Sequence, residues 1–162
     1  MGITIGPVDW WVSTPDSVDS MVINCPEGTV LPDGSAIICK AGGTAWIVAP
    51  ISTQVGGATW NGTTTDLVGD KCCVCDWSSL CTALVSAGFN PGDWFVPSCG
   101  QLQNPGYVCR TNWDSFSAFR YWSSTEFSAP NAFIVNYSSG GNASSCVKTC
   151  PSCVRAWRCV NY

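Results

Sequence analysis

Glu126 sits in the run YWSSTEF, Tyr121 to Phe127, in a chain that has no histidine and only one other glutamate, Glu27. A carboxylate serving as general acid or base needs a titrating partner, and the sequence offers none nearby. It does offer cations. Arg155 and Arg158 lie on the last segment, CVRAWRCV, and either could reach Glu126 across a sheet, so the expected arrangement is a partly buried structural ion pair. The hydroxyls of SSTE invite a nucleophile reading, which requires an adjacent base. Without one they are expected to satisfy backbone groups at a strand end, and Ser98 is expected to cap a helix. No catalytic residue is assigned.

The second set of reactive side chains is thiol. Twelve cysteines (Cys25, Cys39, Cys72, Cys73, Cys75, Cys81, Cys99, Cys109, Cys146, Cys150, Cys153 and Cys159) permit complete pairing into disulfides, a state the cytosol would not sustain. Cys150-Pro-Ser-Cys153 has a spacing that zinc and redox sites both use. A zinc ribbon needs two such pairs, and the adjacent Cys72-Cys73 spoils the second; redox catalysis wants the motif at a helix start. Disulfides are therefore the expected state, with no metal, no cofactor and no assigned connectivity.

Composition narrows the partners. Charged residues make up 11% of the 162 and the formal net charge is −4. The seven basic residues are scattered, so no basic stripe exists for a nucleic acid. Apolar runs such as AWIVAPI fall far short of the ~20 residues that span a bilayer, which argues against membrane insertion. The N-terminal MGITIGPVDWWVSTPDS has neither the basic start nor the apolar run of a signal peptide. High cysteine content without such a leader suits a virion component, made in the cytosol and persisting outside it; the alternative is a secreted or bacterial surface protein whose leader has been removed.

These groups must be positioned by a single domain, 25–162, preceded by an arm, 1–24. Trp10 and Trp11 in the arm are candidate anchors in a neighbouring subunit. Pro32-Asp33-Gly34 and Gly42-Gly43 predict a hairpin or meander, and 52–71 reads as a long surface loop. Asp76 is expected to cap a helix from Trp77 to about Ala87, and Ser98 with Gln101 forms a capping-box signature for a second, short helix. RYWSSTEF, AFIVNYSS and CVRAWRCV read as strands of one antiparallel sheet. The fold class is α+β. Three glycosylation sequons, at Asn61, Asn136 and Asn142, read as coincidence in so Ser/Thr-rich a chain.

The order AWIVAP, helix, DWFVPSCGQL, YWSSTE, AFIVNYSSG, VRAWR, over about residues 37 to 159, resembles the C-terminal domain family of the Legionella collagen-like adhesin, which occurs in bacterial surface proteins and bacteriophage structural proteins. The resemblance implies a C-type-lectin-like fold with two helices, a twisted antiparallel sheet and long loops. Cysteine density, and Cys99 inside the helix motif, depart from the family's pattern and suggest extra stapling. SAPNAF lacks the acidic residue that calcium-dependent sugar binding in this fold would use. Metal-free recognition by exposed aromatics is left to Trp60, Trp77 and Trp113.

The expected function is a non-catalytic virion structural protein, decorating a capsid or attached to a tail. Its partners would be other virion proteins, with homo-oligomerisation open. The alternative is an adhesin or receptor-binding module contacting a host surface glycan or protein.

Overall fold

A computed structural model describes residues 18–60, 72–113 and 119–162. Trp10, Trp11 and Asn61 lie outside the described residues.

Gly42 and Gly43, at φ 58° and 78°, occupy the left-handed region that a two-residue hairpin needs. They join β1 (Ala36–Ala41) to β2 (Thr44–Val48) in antiparallel register. A bulge falls between Ile37 and Cys39 in β1. β2 pairs in turn with β8 (Trp157–Asn161), giving a three-stranded sheet in the order β1-β2-β8.

A second sheet of five strands runs β3-β7-β4-β5-β6. Its strands are β3 (Val55–Ala58), β4 (Arg120–Ser128), β5 (Asn131–Asn136), β6 (Asn142–Val147) and β7 (Ser152–Val154). All pairings are antiparallel except β4 with β7, which run parallel at Tyr121 and Cys153. The expectation of one antiparallel sheet is thus corrected to two sheets. The segment CVRAWRCV does not form one strand: it breaks at Arg155 and Ala156, and its halves enter different sheets. The expected loop 52–71 holds β3 and a fully buried Trp60 among its described residues.

Among the described residues, three α-helices complete the mixed α+β architecture. α1 (Val18–Asn24) ends the expected arm and inserts Val22 into the core. Its last turn is held by Lys40, whose Nζ donates to the Ile23 carbonyl at 2.9 Å, a cation at the helix C-terminus. α2 (Ser78–Ser86) buries Leu80 and Leu84. Its N-cap is Trp77 without a side-chain cap bond, because Asp76 closes the preceding 3-10 turn. α3 (Cys99–Gln101) leads into a wider turn over Leu102–Tyr107. It starts with both bonds of the capping box: Ser98 N–H donates to Gln101 Oε1 at 2.8 Å and Gln101 N–H donates to Ser98 Oγ at 3.2 Å.

Two apolar clusters form the interior. The first gathers Val22, Ile37, Ile47, Trp60, Trp77, Leu80, Trp94 and Trp122 between α1, α2 and the sheets. The second, around Trp113, Tyr121, Tyr137 and Trp157, is aromatic. Trp113 sits edge-on to Tyr137 at 5.7 Å and to Trp157 at 5.5 Å between ring centroids, geometry that suits the ring quadrupoles.

Candidate functional site

Glu126 finds a cation, but a different one from those expected. Its side chain, 3% exposed, pairs with Lys148 Nζ, whose side chain is 0% exposed. Lys148 follows β6 directly, and its backbone is pinned on both sides: its N–H donates to the Pro130 carbonyl at 2.9 Å, and its carbonyl accepts from Trp60 N–H at 2.8 Å. The ammonium also lies 4.4 Å from the centre of the Trp60 ring. A structural brace exists here, made by Lys148 in place of an arginine.

Topology explains the correction. Arg158 is on β8, in the other sheet, and its Nη1 donates to Asp19 Oδ1 of α1 at 2.9 Å. Arg155 is buried at the break between β7 and β8. It donates from Nε to the Ala49 carbonyl at 2.9 Å and from Nη1 to the Trp113 carbonyl at 3.2 Å. The guanidinium thereby ties the β2 end and the turn before β4 to the crossing point of the sheets.

The hydroxyls beside Glu126 serve the backbone. Ser123 Oγ donates to the Phe133 carbonyl at 2.8 Å, and Thr125 Oγ1 accepts from Cys99 N–H at 3.0 Å at the start of α3. Ser124 is held by its own N–H, which donates to the Pro97 carbonyl at 2.9 Å. Nucleophilic chemistry has no activated group in this run.

Trp60 and Trp77 are core residues, 0% and 3% exposed, and Trp77 forms the floor of a small cleft with Thr59, Ser78 and Ser79. Trp60 Nε1 donates to the Ser123 carbonyl at 2.8 Å. Trp113 is also core, 9% exposed with Nε1 donating to the Gly106 carbonyl at 3.0 Å, but it lines a surface cleft. That cleft, of ≈ 340 Å³, is further bounded by Val30, Ile51, Thr111, Asn112 and Arg155. Its rim carries Val30 and Ile51, 68% and 57% exposed.

Of the twelve cysteines, Cys146 and Cys150 form a disulfide between the end of β6 and the following turn. Cys25, Cys39, Cys72, Cys73, Cys75, Cys81, Cys99, Cys109 and Cys159 are not joined in disulfides in this structure, where the sequence leads one to expect complete pairing. Cys150 and Cys153 do not act as a pair: Cys150 is taken by Cys146, while Cys153 is buried on β7 against the second cluster. The neighbouring Cys73 thiol, and after it Cys81, push the Cys75 pKa up. Among the described residues no three His, Cys, Asp or Glu side chains are grouped to hold a metal ion.

No known family matches the chain, and no curated protein does.

Lys148 is the site residue that sequence reasoning missed. Its placement depends on the β5–β6 register, which sets Ala132 opposite Cys146 and Asn131 opposite Val147. No local pattern around VKTC signals that register.

Proposed function

We propose that this chain is a non-catalytic structural protein of a bacteriophage particle, capsid-decorating or tail-associated, with a C-type-lectin-like fold of the kind its motifs resemble. The observation that carries the reading is how its reactive side chains are used. Glu126 and Lys148 hold each other inside the protein, Arg155 holds two carbonyls, and Ser98, Ser123 and Thr125 bond backbone groups. Such side chains stiffen a domain and leave its surface weakly charged, which suits a module that docks on neighbours. The mixed α+β composition, with α2 and α3 in the order the resemblance implies, supports the fold proposed.

Quantitative proteomics of gradient-purified particles from the source encoding the chain tests this. Hundreds of copies per particle fit a capsid decoration, and a handful or a dozen fit a tail position. Absence from the particles overturns the virion reading.

The cleft beside Trp113 favours a second reading, as an adhesin or receptor-binding module on a virion or bacterial surface. Exposed apolar rims at Val30 and Ile51 flank the amide and hydroxyl of Asn112 and Thr111, a mixture suited to a glycan or a surface peptide. Loss of host-cell binding on Val30→Asp with Ile51→Asp, with the fold retained, is the expected result; unchanged binding removes this reading.

A further inference from the structure

We infer that β6, the outer strand of the five-stranded sheet, pairs antiparallel with β6 of a second copy of this chain, about a two-fold axis at Ser145. This goes beyond the virion reading: that reading is decided on purified particles and this seam on the isolated chain, so either can fail alone.

The outer strands of the two sheets are β1, β8, β3 and β6. An open strand edge offers unpaired N–H and C=O groups to any other strand, so edges are normally bulged, charged or covered. β1 carries a bulge and is covered by the segment before it: Ile37 N–H donates to the Thr29 carbonyl at 3.0 Å, and Lys40 N–H to Glu27 Oε1 at 2.7 Å. β8 carries Arg158, and its Trp157 exchanges backbone bonds of 2.8 Å with Phe95. β3 has an irregular register and Gly57 at φ 69°. β6 has none of these defences. Its six residues, NASSCV, include no charge and no proline, and their register on β5 runs without a shift.

The register also fixes which groups point outward. Lys148 N–H donates to the Pro130 carbonyl at 2.9 Å, so these two residues form a bonded pair. Bonded pairs recur at every second residue of an antiparallel ladder, which makes Cys146 with Ala132 and Ser144 with Ile134 bonded pairs too. Ala143, Ser145 and Val147 therefore turn their N–H groups away from β5, where no other strand among the described residues pairs with them. The Val147 carbonyl already accepts from Cys150 N–H at 2.8 Å. What remains is self-complementary about Ser145. Its N–H and carbonyl meet those of the partner's Ser145, while Val147 N–H meets the partner's Ala143 carbonyl, and the converse.

The side chains favour a second copy as the occupant. Ala143 and Ser145 are small enough for two strands to close, and Val147, 49% exposed, would lie across from the partner's Ala143. No like charges meet at the seam, although each chain carries a net charge of −4. On the same face Phe127, 57% exposed, sits edge-on to Phe133 at 5.2 Å, and Phe133 lies across from Ser145. Pairing would thus set the apolar Phe127 and Phe133 of both copies on either side of the axis.

Sedimentation equilibrium of the full chain from micromolar to near-millimolar concentration tests this, with accessible thiols capped by iodoacetamide so that no interchain disulfide contributes. The expected result is a mass that rises with concentration from one chain to two. Ser145→Lys sets two like charges against each other on the axis and should weaken the dimer at least about tenfold. An equimolar mixture of Ser145→Lys and Ser145→Glu chains should associate again, because the axis then joins opposite charges. Ser145→Pro removes an outward N–H while sparing the β5–β6 bonds, so it should abolish the dimer with the far-ultraviolet circular dichroism retained. One chain mass at every concentration overturns the proposal, and the wild-type chain alone decides that. A dimer of unchanged strength in Ser145→Lys overturns the β6 seam, and failure of the mixture to associate overturns the axis at Ser145.

Discussion

Lys148 Nζ and Glu126 form an ion pair from which both side chains are almost wholly excluded from water, and the Trp60 ring closes over the ammonium. Removing one member leaves the other charged and buried. Glu126→Gln or Lys148→Met alone is expected to cost about 3–5 kcal/mol, and Glu126→Leu combined with Lys148→Met should recover most of that loss. Urea unfolding of the wild type, both single variants and the double variant gives the coupling directly. Additive losses would show that the two side chains do not act as a pair.

Ser98 makes half of the box that starts α3, and Thr125 of β4 supports the same turn from Cys99 N–H. Ser98→Ala should lower stability by about 1 kcal/mol, read as a shift in urea midpoint at unchanged slope. Ser98→Asp should retain most of the cap, because a carboxylate accepts the same bond.

How much of this was legible in the sequence depends on the range of the interaction. Gly42-Gly43 and the Ser98/Gln101 box are visible because their physics acts within a few residues, and the structure places both as expected. The Glu126 partner required the register of β5 on β6, a long-range property. Arg155 misled for a different reason. In CVRAWRCV it reads as part of a continuous strand within reach of Glu126, yet it is buried where the chain changes sheets and its guanidinium donates to carbonyls. Trp60 was hidden by its setting among glycines and threonines, which reads as an exposed loop.

Gly106 allows a close approach in the aromatic cluster. A Cβ there would lie 2.5 Å from Tyr137 Oη and 3.0 Å from both the Gln101 carbonyl oxygen and Trp157 Cη2. Gly106→Ala should cost about 1–3 kcal/mol by overpacking, with loss of the bond from Tyr137 Oη to the Leu102 carbonyl. Near-ultraviolet circular dichroism should report the change, since the affected side chains are aromatic.

Alkaline pH should weaken the reduced protein through Cys39. The ordinary value for the thiol is 9.0 and the folded value about 12, raised by burial and by the facing Cys109 and Glu27. The folded chain therefore holds this proton more tightly than the unfolded chain, so the contribution is complete below pH 9.0 and disappears as pH climbs toward about 12. Urea midpoints measured anaerobically with a reductant should fall across that window, and the fall should be shallower in Cys39→Ala. Identical profiles for the two proteins would exclude Cys39 as the source.

The division of the last segment between two sheets has a mechanical consequence. A pull on Tyr162 enters the molecule through β8, whose five residue pairs with β2 must yield before tension reaches Ala156 and Arg155. There the load meets a buried guanidinium tied to Ala49 and Trp113, and beyond it β7, lodged between β3 and β4. The last eleven residues act as a stitch through both sheets, so a tether at this end would transmit force to the whole fold.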